Sequence, residues 1–377
     1  MSSATVIQNA LVYEACGRFV QKDIYMENGR FAREPSKEAS LLNASGLYAI
    51  PGLTDIHFHG CAGYDFCSGS AEALTAIGSY QLKHGVTTMV PAAMSYSEEI
   101  LTPILKAASA YESPAGSILC GIRLEGPFLS PAKKGAQNGA YLRAPDTAMF
   151  LRLQKACGGK IRVVDLAPEL DGAMDFIRSL AGKTVISLAH TEADYSTASL
   201  AYEQGASHTT HLFNAMPPFS HRAPGVIGAA FDHPQVTVEL ICDGVHLHPA
   251  TVRAAFSLFG NRRICLVSDS MMAAGLPDGA YHLGGQEVFV KGPVAALKDG
   301  TLAGSVSNLM DCLRTLVLSM GIPLESAVTC AAVNPAKAIG VYDQYGSIDP
   351  GKTANLVLLD RKLKIRAVFL RGEPADV

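Results

Sequence analysis

The chain has 377 residues, 48% of them hydrophobic and 17% charged, with a formal net charge of −3. That length accommodates one large domain with a smaller one, or two ordinary domains. The charge balance excludes general nucleic-acid binding, which needs a basic surface, and no apolar run reaches the roughly 18 residues of a membrane span. The opening Met1-Ser-Ser-Ala-Thr-Val-Ile-Gln8 lacks a basic stretch followed by a long apolar core, so no signal peptide is expected. Nine cysteines, scattered without CxxC pairs, read as reduced thiols of a cytoplasmic protein.

In chain order, residues 4–49 hold short alternating segments, Ala4–Gln8 and Leu11–Tyr13, with turns at Gly17 and Glu27-Asn-Gly29. Apolar runs then read as buried parallel strands: Ile50–His57, Thr87–Met94, Ile118–Glu125, Ile161–Pro168, Thr184–His190, His208–Asn214, Thr237–Asp243 and Ile264–Asp269. Helical patterns lie between them, among them Ala71–His84, Ser97–Tyr111, Thr147–Ala156, Met174–Leu180 and Pro249–Phe259. Gly85, Gly158-Gly159, Gly182, Gly205 and Gly260 fall where helices stop. Strands and helices alternating in this number predict an α/β fold, a (β/α)8 barrel of the TIM type. The sixth crossover, around Pro217–His233, is the least regular, and Ser305–Met320 fits the last helix. The tail returns to strands, Ala354–Asp360 and Lys364–Arg371. Neither end can bury much alone, so the expectation is a small β-sandwich domain built from 1–50 and 341–377 beside a barrel of 51–340. A two-stranded tail with a separate role is the plainer alternative.

The chemistry-bearing residues gather at the predicted strand ends. His57 and His59 close the first strand, where side chains two apart project to one side. Glu125 ends the third, His190 the fifth, His211 the sixth and Asp269 the eighth. In such a barrel these ends form one rim, which carries the active site. Any one of these histidines alone reads more readily as structural or solvated. Four of them with two carboxylates at one rim point to hydrolytic metal chemistry. Two imidazoles and a carboxylate hold a divalent ion with a position left open for water, whose pKa the ion lowers from about 15.7 to about 7. A further carboxylate can move the proton. Asp269, alone at the last strand, fits that role; its plainer reading is a cap on the segment that follows.

These residues carry a resemblance. Pro51-Gly-x-x-Asp55-x-His57-x-His59-Gly60 resembles the opening of the amidohydrolase superfamily. Within it, Leu124-Glu-Gly-Pro-Phe-Leu-Ser-Pro131, His211-Leu-Phe-Asn-Ala-Met216 and His221-Arg-Ala-Pro-Gly225 are similar to the N-acetylglucosamine-6-phosphate deacetylases. So are Cys242-Asp-Gly-Val-His246, Val267-Ser-Asp-Ser-Met-Met-Ala-Ala-Gly275, Leu302-Ala-Gly-Ser305 and Asn334-Pro-Ala-Lys-Ala-Ile-Gly340, in the family's order across almost the whole chain. The resemblance implies hydrolysis of the acetamide of N-acetyl-D-glucosamine 6-phosphate. It implies Glu125, His190 and His211 as ligands of the principal metal, and Asp269 as general acid and base. It places Asn214, Ala215, Arg222, His246, Ala136, Gln137 and the loop Leu302, Ala303, Gly304 around the sugar phosphate. It further implies a homodimer in which Arg222 or His246 serves the neighbouring subunit.

Members differ at the first-strand pair. This chain keeps His57 and His59, so a second ion is chemically possible, with Glu125 between the two. Gln137 stands where many relatives carry His; it can donate a hydrogen bond to substrate but cannot become cationic. The metal is expected to be zinc, with iron, manganese or cobalt also suited to an O/N ligand set. Hydrolysis of a related substrate such as N-acetylgalactosamine 6-phosphate is the alternative function. A non-catalytic interaction protein on the same scaffold is the alternative class. His84, His233 and His282 read as ordinary surface or loop residues, His208 as no match to the site, and Cys61 as a small buried residue rather than a thiolate ligand.

Overall fold

The computed structural model describes residues 4–34, 39–112 and 116–376. Its centre is a parallel barrel-type sheet. Leu53–Asp55 pairs with Val86–Met89, and that strand resumes at Ala92–Ala93 beside Ile122–Phe128. The order then runs through Ile161–Leu166, Val185–Leu188, His208–Thr209, Thr237–Ile241 and Ile264–Val267, every pair parallel. Pro91, which has no N–H to donate, marks the break in the second strand. The last strand meets the first through two backbone bonds, Asp269 N to His57 O at 2.9 Å and His59 N to Ser270 O at 2.7 Å. Every residue of Ile122–Phe128 is buried, as befits a parallel strand covered on both faces.

The strands stop earlier than the apolar runs suggest. The sixth ends at Thr209 rather than Asn214, the seventh at Ile241 rather than Asp243 and the eighth at Val267. The chain turns away at residues of positive φ: His190 (44°), His211 (27°) and Asp269 (48°). The run Ile50–His57 also divides in two. Tyr48–Pro51 joins the terminal sheet and Leu53–Asp55 joins the barrel, so His57 and His59 lie beyond the strand. Gly52 sits at the division, where a Cβ would fall 2.1 Å from Thr87 Oγ1.

Helices follow the patterns closely where a cap fixes them. Ser70 Oγ accepts from Ala73 N before Ala71–Lys83, and Asp146 Oδ1 from Met149 N before Thr147–Ala156. The last barrel helix begins at Leu309, not Ser305. Asn308 caps it, whereas Ser305 is tied into the barrel by its N–H to Asp269 O and its hydroxyl to Ser268 O. The irregular sixth crossover contains a short helix, Gly225–Asp232.

Both chain ends form one mixed sheet. Ala4–Glu14 pairs with Arg18–Glu27, Ser40–Asn43 and Tyr48–Pro51; Leu356–Leu359 adds to Tyr48–Pro51, followed by Ile365–Leu370 and Glu373–Pro374. Alternation gives it two apolar faces. Leu356 and Leu358 pack with Ile7, Val12 and Met26, while Val357 and Leu359 join Tyr13 and Ile50 in the main core.

A second small sheet was not anticipated. Gly279–Leu283, Gln286–Lys291 and Val294–Ala296 form an antiparallel meander after the eighth barrel strand. Its first turn is Gly284-Gly285, both at positive φ, the requirement of a tight hairpin. Leu283, Val288 and Ala295 pack against Met94, Ala136 and Met271 at the rim of the barrel. Among the described residues no helix is long and apolar enough to cross a membrane, and all nine cysteines are free thiols.

Candidate metal centre

A cavity of about 380 Å³ opens at the C-terminal ends of the barrel strands. Its walls bring together His59, Glu125, His190, His211 and Asp269. Glu125 Oε1, His190 Nε2 and His211 Nε2 form a triangle with edges of 3.2, 3.4 and 3.1 Å. Donors about 2.0–2.1 Å from a tetrahedral ion stand roughly 3.3 Å apart, so the triangle has the size such an ion requires. Two imidazole nitrogens facing each other this closely repel unless a proton or a metal ion lies between them. His57 Nε2, His59 Nε2 and Asp269 Oδ1 make a second group, with Asp269 Oδ1 3.7 Å from the first and 3.3 Å from the second. Glu125 lies between the groups: Oε1 is 3.3 Å from His57 Nε2, and Oε2 is 3.1 Å from His59 Nε2.

The far nitrogens of three rings have acceptors. His57 Nδ1 meets Glu239 Oε2 at 2.9 Å, His59 Nδ1 meets Ala92 O at 3.2 Å, and His190 Nδ1 meets Lys133 O at 2.8 Å. Each acceptor fixes the proton on Nδ1 and turns the Nε2 lone pair toward the cavity, as a metal-binding histidine requires. Within the centre the bonding is incomplete: among the described residues His57 Nε2 and Asp269 Oδ1 are buried without a hydrogen-bond partner, as is His211 Nδ1 on the far side of its ring. Such orphaned atoms are costly unless something binds them. The donor set therefore fits one divalent ion at Glu125, His190 and His211, and has room for a second beside His57, His59 and Asp269.

The electrostatics point the same way. Burial pushes the Glu125 carboxyl up, but the His57 charge and hydrogen bonds from His190 and His211 outweigh it and hold it well below the usual carboxylate range. Burial also works against a charged His59, yet its contacts with Asp269 and Glu125 raise it to about 10. Burial would raise Asp269, and the charges of His57 and His59 bring it below its ordinary value. The carboxylates thus stay anionic and draw positive charge into the cavity, as protons on the histidines or as a metal in their place.

The other candidates divide. Ala136, Asn214, Ala215, His246, Leu302 and Gly304 line the cavity. Asn214 Nδ2 donates to the carbonyls of His211 and Leu212, and His246 Nδ1 is 2.8 Å from Asp243 Oδ2. Gly304 has φ 65° and stands so close to Asp269 O that a Cβ would lie 2.9 Å from it. Three further candidates are placed differently. Ala303 is wholly buried beneath the meander, its N–H bonded to Ala295 O, and does not line the cavity. Gln137 reaches the cavity wall, but its Oε1 accepts from Ser95 N and its Nε2 donates to Glu125 Oε2 at 2.8 Å, so its amide orients that carboxylate. Arg222 is exposed and lies off the cavity of its own chain.

Sequence reading missed a charged layer directly beneath. Arg123 donates Nε and Nη2 to Asp165 at 2.7 and 2.8 Å, Nη2 to Thr210 Oγ1 at 2.7 Å, and Nη1 to Glu239 Oε1. His208 Nε2 joins Glu239 Oε1 at 3.0 Å. The available signal was a charged residue inside an otherwise apolar strand: Arg123 two before Glu125, Asp165 in Val-Val-Asp-Leu, Glu239 in Thr-Val-Glu-Leu-Ile.

The profile of the amidohydrolase family matches residues 48–375. Over 334 residues the chain is 39% identical to a Bacillus subtilis (strain 168) protein named N-acetylglucosamine-6-phosphate deacetylase, covering 87% of this chain and 84% of that one. It is 33% identical to an N-acetylgalactosamine-6-phosphate deacetylase of Escherichia coli O157:H7, covering 86% of this chain and 87% of that one. A mutant N-acetyl-D-glucosamine-6-phosphate deacetylase from Mycobacterium smegmatis, solved in complex with N-acetyl-D-glucosamine-6-phosphate, superposes with a TM-score of 0.92 at 32% identity, covering 99% of both chains.

Proposed function

The chain belongs to the amidohydrolase family, and from that premise we propose that it hydrolyses the acetamide of N-acetyl-D-glucosamine 6-phosphate, releasing D-glucosamine 6-phosphate and acetate. The observation that carries the reading is the triangle of Glu125, His190 and His211 set beside the orphaned Asp269 carboxylate in one cavity. Glu125, His190 and His211 would hold a divalent ion, zinc foremost and iron, manganese or cobalt as alternatives; His57 and His59 would hold a second. Bound there, the ion supplies Lewis acidity toward the acetamide carbonyl and the attacking water.

The protein's own groups do the rest. Asp269, anionic at neutral pH, takes the proton of the attacking water and returns it to the amide nitrogen, without which the amine cannot leave. Gln137 keeps Glu125 aligned between the two histidine groups. Asn214, Ala215, Ala136, His246, Leu302 and Gly304 bind the sugar phosphate. Arg222, which does not line its own cavity, would reach the phosphate of a neighbouring subunit in a homodimer, where a planar guanidinium suits an anionic oxygen pair. We further read the protein as cytoplasmic, with residues 51–340 as the catalytic barrel and 1–50 with 341–377 as a small β domain built on one mixed sheet rather than a sandwich.

Hydrolysis of N-acetylgalactosamine 6-phosphate is the second reading, supported by the Escherichia coli relative. Acetate release from the two C4 epimers, measured side by side with elemental analysis of the purified protein, tests both. No release from either substrate by a metal-replete protein would overturn them.

A further inference from the structure

We infer that Glu239 is a positioning residue of the metal centre, holding His57 in the tautomer that can bind an ion. The inference rests on the reading of His57 as a ligand. Glu239 is fully buried on the seventh barrel strand, one layer below the cavity. Its Oε2 meets His57 Nδ1 at 2.9 Å and the backbone N–H of His211 at 3.1 Å. Its Oε1 meets His208 Nε2 and Arg123 Nη1. A carboxylate only accepts, so all four partners must be donors. His57 is therefore protonated on Nδ1, and its Nε2 presents a lone pair toward Glu125 and Asp269. The same oxygen anchors the backbone of His211, so one carboxylate reaches both histidine groups.

A carboxamide of the same shape cannot do this. It has one accepting oxygen and one NH2, and Arg123 has no accepting atom, so the oxygen must face Arg123 and His208. The NH2 then opposes His57 Nδ1 and the N–H of His211. His57 escapes the clash by moving its proton to Nε2, which removes the lone pair from the cavity. Glu239→Gln thus inverts the ligand while leaving the volume of the barrel interior unchanged.

The test is zinc binding by chelator-stripped protein, measured ion by ion in competition with a chromophoric chelator, with circular dichroism as the check of fold. The wild type should bind two zinc ions; a single ion would overturn the reading of His57 as a ligand. In Glu239→Gln, the weaker ion should lose about 10–100-fold in affinity, the usual consequence of removing a group that orients a ligand. His57→Ala should lose that ion as well, so the two single variants should lose the same ion. Glu239→Asp keeps the charge at a shorter reach; it should lose less affinity than Glu239→Gln and carries the comparison if Glu239→Gln does not fold. Unchanged zinc affinity in the Glu239 variants, with loss in His57→Ala, overturns the inference alone. A loss in Glu239→Gln confined to the other ion, with the His57 ion unchanged, overturns it too, because Glu239 would then act only through the backbone of His211. Zinc binding unaffected by His57→Ala overturns the ligand reading itself.

Discussion

Two layers of the barrel, one above the other, treat their polar atoms in opposite ways. In the lower, Arg123, Asp165, Glu239, His208 and Thr210 satisfy one another, and Arg123 alone reaches two carboxylates, a hydroxyl and the carbonyl of Ile56. In the upper, His57 Nε2 and Asp269 Oδ1 have no hydrogen-bond partner among the described residues, and two imidazole nitrogens face each other. Burial is similar, so exposure does not separate the layers; completeness of hydrogen bonding does. The lower layer is finished by the chain itself and holds geometry. The upper is finished by something the chain binds, and its backbone strain agrees, with His190, His211, Ala215 and Asp269 all at positive φ.

If that contrast is right, substitutions above should remove chemistry and those below should remove stability. The largest effect expected is on His211. His211→Ala should lose most bound metal and nearly all activity, as read by elemental analysis and acetate release. Full metal content in that variant would sink the ligand assignment. Next is Asp269→Asn, which should keep its metal and fold while kcat falls roughly 10²–10⁴-fold, the range for general acid–base work. The wild-type rate should depend on pH with a definite sign. Asp269 lies below its ordinary value of 3.8 in the folded chain, so its base form persists through neutral pH and is lost only as the pH falls into that acidic range. Near-normal turnover by metal-replete Asp269→Asn would move the proton transfer elsewhere, with His246 the next candidate.

Below the rim, Arg123→Ala should cost about 3–5 kcal/mol, the usual result of stranding buried charges, here Asp165 and Glu239. Chemical denaturation of the stripped protein reads it directly, and a loss below 1 kcal/mol would mean water enters the barrel freely. The contrast also predicts a pH signature. In the metal-free protein His59 is raised from 6.5 to about 10. A raised folded-state value contributes stability in full below pH 6.5, and loses it as the pH rises to about 10. The stripped protein should therefore melt at lower temperature across that window. With metal bound, the ligands are already unprotonated and the slope should flatten.

The rim was legible because parallel strands buried on both faces are apolar runs, and the residues that end them stand out: His57, His59, Glu125, His190, His211 and Asp269 need only the strand order to be brought together. The strand ends were not legible. His211 and Asp269 leave the strand through left-handed backbone that their side chains do not favour, and only the surrounding structure imposes it. The layer beneath was also hidden. Arg123, Asp165 and Glu239 sit on three strands, and a charged residue in an apolar run does not announce which distant partner neutralises it. The meander at Gly279–Ala296 carried alternation and a Gly-Gly turn, but a barrel reading leaves no place for antiparallel strands after the eighth.

The smallest effect expected lies outside both layers. Arg222 is exposed and touches neither the cavity nor the charged layer of its own chain. By the logic of the contrast, an exposed arginine with no partner among the described residues contributes nothing to stability, so Arg222→Ala should melt with the wild type to within about 0.5 kcal/mol. Its function, if it faces the phosphate of a second copy, is binding at a distance from the scissile amide. Loss of a charge-assisted hydrogen bond should then raise KM for the phosphorylated sugar about tenfold or more. It should leave kcat, and any hydrolysis of the unphosphorylated sugar, nearly unchanged, because an interaction made equally in ground and transition states lowers KM without altering kcat. Mixed dimers sharpen the point. Arg222→Ala chains paired with Asp269→Asn chains should recover one competent cavity, in which an intact Asp269 meets an intact Arg222 from the other subunit. Equal loss on both sugars, or no recovery in the mixture, would return Arg222 to the ordinary surface.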